Sequence, residues 1–241
     1  MSFDVSNFID IHTHILPGID DGSPSREESV ALARLYVNVG VKKVVATPHF
    51  IPGTAWATPV DKVLEMVDTL QNTLETQGVD LKILPGMEIA FHKKLADRIE
   101  QGLVLPLGDS KYYLIEPSFH GEQDLLLAAL SGLLERGDKL ILAHPERIEG
   151  LRGKIENIRL LVEKGLLIQI NAGSLLGHFG PPARELAQSL WDRDCLHLIA
   201  SDTHDMNKRR PLGKDEWNTL LADTVTNEML QKCNSTLAQL F

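Results

Sequence analysis

Ile9-Asp10-Ile11-His12-Thr13-His14 near the start of the chain and Ser201-Asp202-Thr203-His204 near its end read alike. Each follows or contains a short β-forming apolar run, and each ends in imidazoles or a carboxylate two residues apart. Side chains at i and i+2 of a strand share one face. His12/His14 and Asp202/His204 are therefore two chelating pairs separated by nearly the whole sequence. A fold that brings the first and last strands together makes them one metal site.

Between these runs one rhythm recurs: an amphipathic helix, a glycine, then an apolar stretch. Ser25-Arg26-Glu27-Glu28 has the form of a capping box and opens a helix that Gly40 stops. Thr58-Pro59 opens another, with proline in its first turn and Gly78 after its end. Further helices are expected at His92 to Glu100, Gln123 to Arg136, Ile155 to Lys164, Pro182 to Trp191, Lys214 to Ala222 and Asn227 to Leu240. The strands after the first are expected at Val41 to Ala46, Leu81 to Met87, Tyr112 to Ile115, Lys139 to Ala143, Leu166 to Ile170 and Leu196 to Ala200. Apolar strands alternating with helices imply parallel βαβ units, with the sheet covered on both faces.

The polar residues choose between a closed and an open sheet. The strands deliver, in order, His12 and His14, His49, Glu88, Glu116, His144, Asn171, and Asp202 with His204. An open sheet gathers only the groups beside its crevice, whereas a barrel points every strand end at one centre. The expected fold is α/β: a distorted (β/α)7 barrel, one domain over residues 1–241, with a metal site at the C-terminal ends of the strands.

The bulk properties narrow the function. With 241 residues, 43% hydrophobic and 24% charged, the chain has the size and composition of one globular domain. Its net charge of -9 argues against a nucleic-acid partner. Cys195 and Cys233 form neither a C-x-x-C motif nor a disulfide framework, which suits a reducing cytoplasm. MSFDVSNFID lacks the basic and apolar regions of a signal peptide, and no run is long and apolar enough to span a membrane.

With Asp21 from the loop after His14, the candidate ligands are His12, His14, Asp21, His49, Glu88, Glu116, His144, Asp202 and His204. That set exceeds what one ion uses. Mixed imidazole and carboxylate donors without thiolate suit Mn, Fe or Zn, and Glu88 is placed to bridge two ions. A lone strand-end histidine is usually structural; such groups recurring from strand to strand are not explained that way. His92 reads as a helix-start residue, His120 as a surface-loop residue and His197 as a hydrogen-bonded strand residue, while His178 fits a structural or a functional role equally.

The runs Asp10 to His14, Gly18-Ile19-Asp20-Asp21-Gly22, Ser25 to Ser29, Thr47-Pro48-His49, Gly86-Met87-Glu88-Ile89, Ala143-His144-Pro145-Glu146-Arg147 and Ala200 to His204 resemble the polymerase and histidinol phosphatase (PHP) superfamily. Within it they are similar to bacterial metal-dependent tyrosine-protein phosphatases of capsule and exopolysaccharide synthesis. The resemblance implies three divalent ions, often manganese. It assigns His12, His14, Glu88 and Asp202 to the first, Glu88, Glu116 and His144 to the second, and Asp21, His49 and His204 to the third. It favours Asp21 over Asp20, and implies phosphate binding by Arg147 and Arg210, with the Arg209-Arg210 doublet leaving the second arginine open. It also implies a phosphotyrosine protein substrate, the tail of a bacterial tyrosine kinase, and links the Arg26-Glu27-Glu28 helix to oligomer contacts.

The expected chemistry is direct attack of metal-bound hydroxide on phosphorus, with arginines clamping the phosphoryl oxygens. No general acid is evident, and phenolate leaves more readily than an alkoxide. Neither cysteine opens a C-x5-R loop, which argues against a cysteine-phosphatase mechanism. Three other readings stay open at this level: a small-molecule phosphatase of the histidinol-phosphate type, an amidohydrolase-like C–N hydrolase, and a non-catalytic metal-binding module.

Overall fold

The computed structural model describes residues 4–241. Residues 1–3, part of the stretch read for a signal peptide, lie outside the described residues. The strands are β1 (Ile9–Thr13), β2 (Lys43–Ala46), β3 (His49–Phe50), β4 (Lys82–Pro85), β5 (Glu88–Ala90), β6 (Tyr112–Glu116), β7 (Lys139–Ala143), β8 (Leu167–Asn171) and β9 (Leu198–Ala200). Every ladder pair is parallel, in the orders β1-β2-β4 and β3-β5-β6-β7-β8-β9.

The two sheets differ from the single seven-stranded ring expected. The expected strands Val41 to Ala46 and Leu81 to Met87 contain β2 and β4, and each is followed after a short gap by a strand of the other sheet, so β2 and β3, and likewise β4 and β5, are parts of one path. Pro48, between β2 and β3, has no N–H to give a ladder. Gly86, between β4 and β5, passes so close to the neighbouring path that a Cβ would lie 2.9 Å from Val45 Cγ1. The chain itself thus joins the sheets on one side. On the other, the Asp202 N–H donates to the His12 carbonyl at 3.0 Å and the His14 N–H to the Thr203 carbonyl at 2.8 Å. First and last strands meet just where the candidate ligand side chains emerge.

Helices cover the strands: α1 (Arg26–Val39), α2 (Val60–Thr76), α3 (Leu95–Glu100), α4 (Gln123–Arg136), α5 (Ile155–Glu163), α6 (Ala172–Leu175), α7 (Pro181–Asp192), α8 (Lys214–Ala222) and α9 (Thr224–Leu240). Gly40 ends α1 and Gly137 ends α4 in the left-handed region, at φ 98° and 99°. Pro59 is the N-cap of α2 rather than a first-turn residue. The short α6 was not expected, and α9 begins earlier than its periodicity implied because the Asp223 carboxylate caps Thr226 N–H at 2.8 Å.

The capping box at α1 is only half made. Ser25 Oγ accepts from Glu28 N–H at 3.3 Å, but Glu28 Oε1 accepts from Met206 N–H at 3.2 Å instead of reaching back to its own cap. Between the layers, Leu140 to Ala143 of β7 and Ile168 and Ile170 of β8 are fully buried. Each large aliphatic so buried contributes about 1.5–3 kcal/mol. That apolar interior sets off the polar side chains gathered at the C-terminal strand ends.

Candidate metal centre

At the C-terminal strand ends the structure brings all nine candidate ligands into one cluster. Partners behind the rings fix which nitrogen faces inward. His12 Nδ1 lies 3.0 Å from Gln169 Oε1, His14 Nδ1 lies 2.7 Å from Asp20 Oδ2, and His204 Nδ1 lies 3.0 Å from the Asp202 carbonyl. Each acceptor takes the Nδ1–H and leaves Nε2 as the inward lone pair. The Nε2 atoms of His12 and His14 lie 3.2 and 3.3 Å from the two Glu88 oxygens. Asp21 Oδ1 lies 3.4 Å from both His49 Nε2 and His204 Nε2. Asp21 thus faces the cluster, while Asp20 supports it from behind, also accepting from His49 N–H at 2.9 Å.

The donor atoms fall into four groups, each spanning no more than 4.8 Å: His14/Asp21/His49/His204, His12/Glu88/His144, His12/His14/Asp202 and His49/Glu88/Glu116. Two implied sets are recognisable in the first and third. The implied Glu88/Glu116/His144 set is divided: His144 Nε2 sits 2.8 Å from Glu88 Oε1 with its ring against His12, whereas Glu116 Oε2 lies 3.6 Å from His49 Nδ1. Glu88 belongs to both halves, as a bridging carboxylate would.

The electrostatics call for cations. Burial pushes the Glu116 carboxyl up, and the Glu88 charge adds to that, to about 7. Burial opposes ionisation of Glu88 too, but His12 and His49 outweigh it and hold that carboxyl well below the usual range. Burial lowers the His12 and His49 imidazoles, yet the carboxylates outweigh it and lift them to about 9 and about 10. Buried Asp202 Oδ1, His49 Nδ1, His144 Nδ1 and His204 Nε2 have no hydrogen-bond partner among the described residues. His49 Nδ1 is 2.9 Å from Glu88 Oε2 without the alignment of a hydrogen bond. Unpartnered buried donors of nitrogen and oxygen, with no thiolate among them, fit divalent cations.

Asp202 shows the division most clearly. Its Oδ2 accepts from Asn171 Nδ2 at 2.7 Å and Arg147 Nη1 at 2.8 Å, and lies 2.5 Å from Arg209 Nη2. Oδ1 is left facing His12, His14 and His204 at 3.5–3.6 Å. The backbone is left-handed at Asp202 and His144, with φ 58° and 29°, a costly conformation for non-glycine residues that aims both side chains inward.

The structure separates the Arg209-Arg210 doublet. Arg209, not Arg210, reaches the centre; Arg210 Nη1 binds Glu216 Oε2 at 2.7 Å and the Pro211 carbonyl at 2.9 Å. Asp205 Oδ1 caps the turn before them by accepting the N–H groups of Asn207 and Lys208 at 2.6 and 2.7 Å.

Aromatic residues line the mouth. The Arg147 guanidinium lies over Phe179 at 4.5 Å and Phe119 at 5.2 Å, and Trp56 stacks on His49 at 5.4 Å. Sequence reading missed these rings, Asp20's supporting role, and Gln169, which sits two residues before Asn171 and so on the same strand face. It also missed Glu146, whose Oε1 accepts from Asn171 N–H and Ser174 Oγ at 2.9 and 2.7 Å. The other histidines lie outside the cluster. His120 and His178 are exposed, His92 Nδ1 accepts from Lys94 N–H at 3.2 Å, and His197 Nδ1 accepts from Ile168 N–H at 3.2 Å.

Residues 8–234 match the family model for capsular polysaccharide synthesis, CpsB/CapC. The chain is 35% identical over 201 residues to the tyrosine-protein phosphatase YwqE of Bacillus subtilis, covering 83% of this chain and 79% of the relative. It is 33% identical over 217 residues to the tyrosine-protein phosphatase CpsB of Streptococcus pneumoniae, covering 88% and 89%. A solved structure from work on those two proteins, described there as unique metal-dependent tyrosine phosphatases, superposes with a TM-score of 0.84 at 30% identity over 97% of this chain and 96% of the other. Histidinol phosphate phosphatase of Lactococcus lactis shares the fold, with a TM-score of 0.56 at 15% identity over 96% and 93% of the two chains. With its candidate metal ligands gathered as described, and on these matches, the chain belongs to the CpsB/CapC family of capsular polysaccharide synthesis.

Proposed function

We infer that the chain is a metal-dependent protein-tyrosine phosphatase of capsule or exopolysaccharide synthesis. The observation that carries this reading is Asp202, whose two oxygens divide between a cluster of cation donors and a pair of arginines. Divalent ions held by the nine donors would supply Lewis acidity at the phosphoryl oxygens and ionise water near neutral pH. The other parts of the chemistry fall to the chain. Arg147 and Arg209 converge beside the donors and would grip the non-bridging oxygens, where guanidinium forks suit phosphate. Stacking on Phe119 and Phe179 holds the Arg147 plane in place, so little order has to be found when substrate binds. No side chain is assigned as general acid, in keeping with a phenol leaving group.

The finer reading is of three ions, manganese favoured over iron or zinc, and of a phosphotyrosine substrate in the tail of a bacterial tyrosine kinase. Cys195 and Cys233 are free and buried, which fits a cytoplasmic enzyme. Among the described residues no helix is long and apolar enough to cross a membrane.

Metal analysis combined with turnover of a phosphotyrosine peptide tests this. His144→Ala should lower kcat by about 100-fold and reduce bound metal, and chelation should abolish turnover until metal is restored. Full activity in a verified metal-free sample, or a normal rate in His144→Ala, would overturn the reading. Preference for histidinol phosphate over the peptide would move it to the small-molecule phosphatases.

A further inference from the structure

Lys208-Arg209-Arg210 is the longest uninterrupted basic run in a chain whose net charge is -9. Its three side chains take different directions. Arg209 turns onto Asp202 and Arg210 onto Glu216, while Lys208 is exposed and forms no ion pair among the described residues. With His178 and Phe179 they line a cleft of about 490 Å3, whose one acidic lining residue is Glu216. That volume is within the range of about 300–1,000 Å3 typical of small-ligand sites. The cleft opens directly from the metal centre: Phe179 is the ring that packs on Arg147 at 4.5 Å, and Arg209 belongs to both.

We propose that this cleft receives the polypeptide segment beside the phosphotyrosine and selects an Asp or Glu side chain there. The proposal rests on the phosphatase reading and adds the substrate's flanking chemistry. Both polar contacts of Arg210 use Nη1, which leaves its other two nitrogens for a carboxylate. Lys208, which lines the same cleft and has no ion pair among the described residues, adds a second charge. The chain's net charge of -9 opposes an acidic peptide overall, so a basic cleft is where such a peptide is steered. Charges at such a rim act on encounter and register, and salt weakens them.

Two peptides test this, one with Glu two residues from the phosphotyrosine and one with Gln in its place, alongside p-nitrophenyl phosphate. Lys208→Glu should raise KM for the Glu peptide about tenfold at low salt. It should leave its kcat, the Gln peptide and p-nitrophenyl phosphate as in wild type, and the effect should fade by about 0.5 M salt. Arg210→Gln should act in the same direction. Equal losses on both peptides, or no loss on either, overturn the proposal. So does a fall in kcat on p-nitrophenyl phosphate in Arg210→Gln, which would make Arg210 a phosphate clamp. If wild type cleaves none of the three, the phosphatase reading has failed by itself. Anisotropy of the labelled, unphosphorylated Glu peptide then decides: weaker binding in Lys208→Glu supports the cleft, and unchanged binding overturns it.

Discussion

Gly22 lies against the strand end that carries His14, and its size sets the path of the loop bearing Asp21. A Cβ at this position would stand 2.2 Å from the His14 carbonyl oxygen and 2.4 Å from His14 Cβ. Neither atom can move without moving a ligand. Gly22→Ala is expected to cost about 1–3 kcal/mol of stability and to lower metal content, read by thermal denaturation and metal analysis. A variant with wild-type metal content and melting point would show that the loop has room. At His197 the expectation is a pH effect. Burial holds this imidazole below its ordinary value of 6.5, and its neutral Nδ1 accepts from Ile168 N–H. A depressed folded-state value means the stabilisation is complete above about pH 6.5 and is lost as pH falls through the folded-state value. Comparing melting points from pH 8 to 5, His197→Asn should lose less stability on acidification than wild type. Parallel curves would remove His197 from the account. Its role was legible in the sequence because it sits inside an apolar run, away from the polar strand ends. Asp20's was not, because nothing in Asp20-Asp21 says which carboxylate turns inward; the Gly22 contact decides it.

At the scale of elements, α1 does more than cover the sheet. Its Ser25 cap is a local device, while Glu28 reaches across to the loop after β9 that carries His204 and Arg209. The two substitutions should therefore separate. Ser25→Ala is expected to cost about 1 kcal/mol of stability with kcat/KM unchanged. Glu28→Ala should loosen the Met206 loop and lower kcat/KM on p-nitrophenyl phosphate by about tenfold, out of proportion to its effect on melting. If both variants change stability and turnover in the same ratio, Glu28 is only a cap residue. Helices of this chain were readable nearly to the residue where their signals are local: Gln123–Arg136 ends at Gly137, and Lys214–Ala222 follows Gly213. The short strands β3 and β5, beyond Pro48 and the close pass at Gly86, were not, because so few residues carry no readable pattern.

In the molecule as a whole the critical seam is where the first and last strands meet. Tyr36 of α1 locks it from beneath: its hydroxyl lies 2.9 Å from each of Asp10 Oδ2, Ser201 Oγ and Thr203 Oγ1. Asp10 Oδ1 also accepts from Ser201 N–H at 3.0 Å. Tyr36→Phe leaves this carboxylate short of a donor and should cost about 1–3 kcal/mol, seen in denaturant unfolding. It should also weaken metal retention, because the seam spaces the His12/His14 pair against Asp202/His204. Unfolding at the wild-type midpoint with metal intact would show that Ser201 and Thr203 suffice.

The sequence alone determined the alternation of helix and strand and named the nine donors the structure gathers. Both are local facts: an apolar run bounded by glycine, and a polar pair at i and i+2 on its end. Only the tertiary structure decided how those donors group, with His144 leaning toward His12 and Glu116 toward His49. It also decided that Arg209 faces the centre and Arg210 the cleft. Those outcomes depend on the side to which a loop turns and on what waits there. The turn capped by Asp205 and the Arg210–Glu216 pair set both through side-chain contacts that apolar periodicity and glycine spacing do not record.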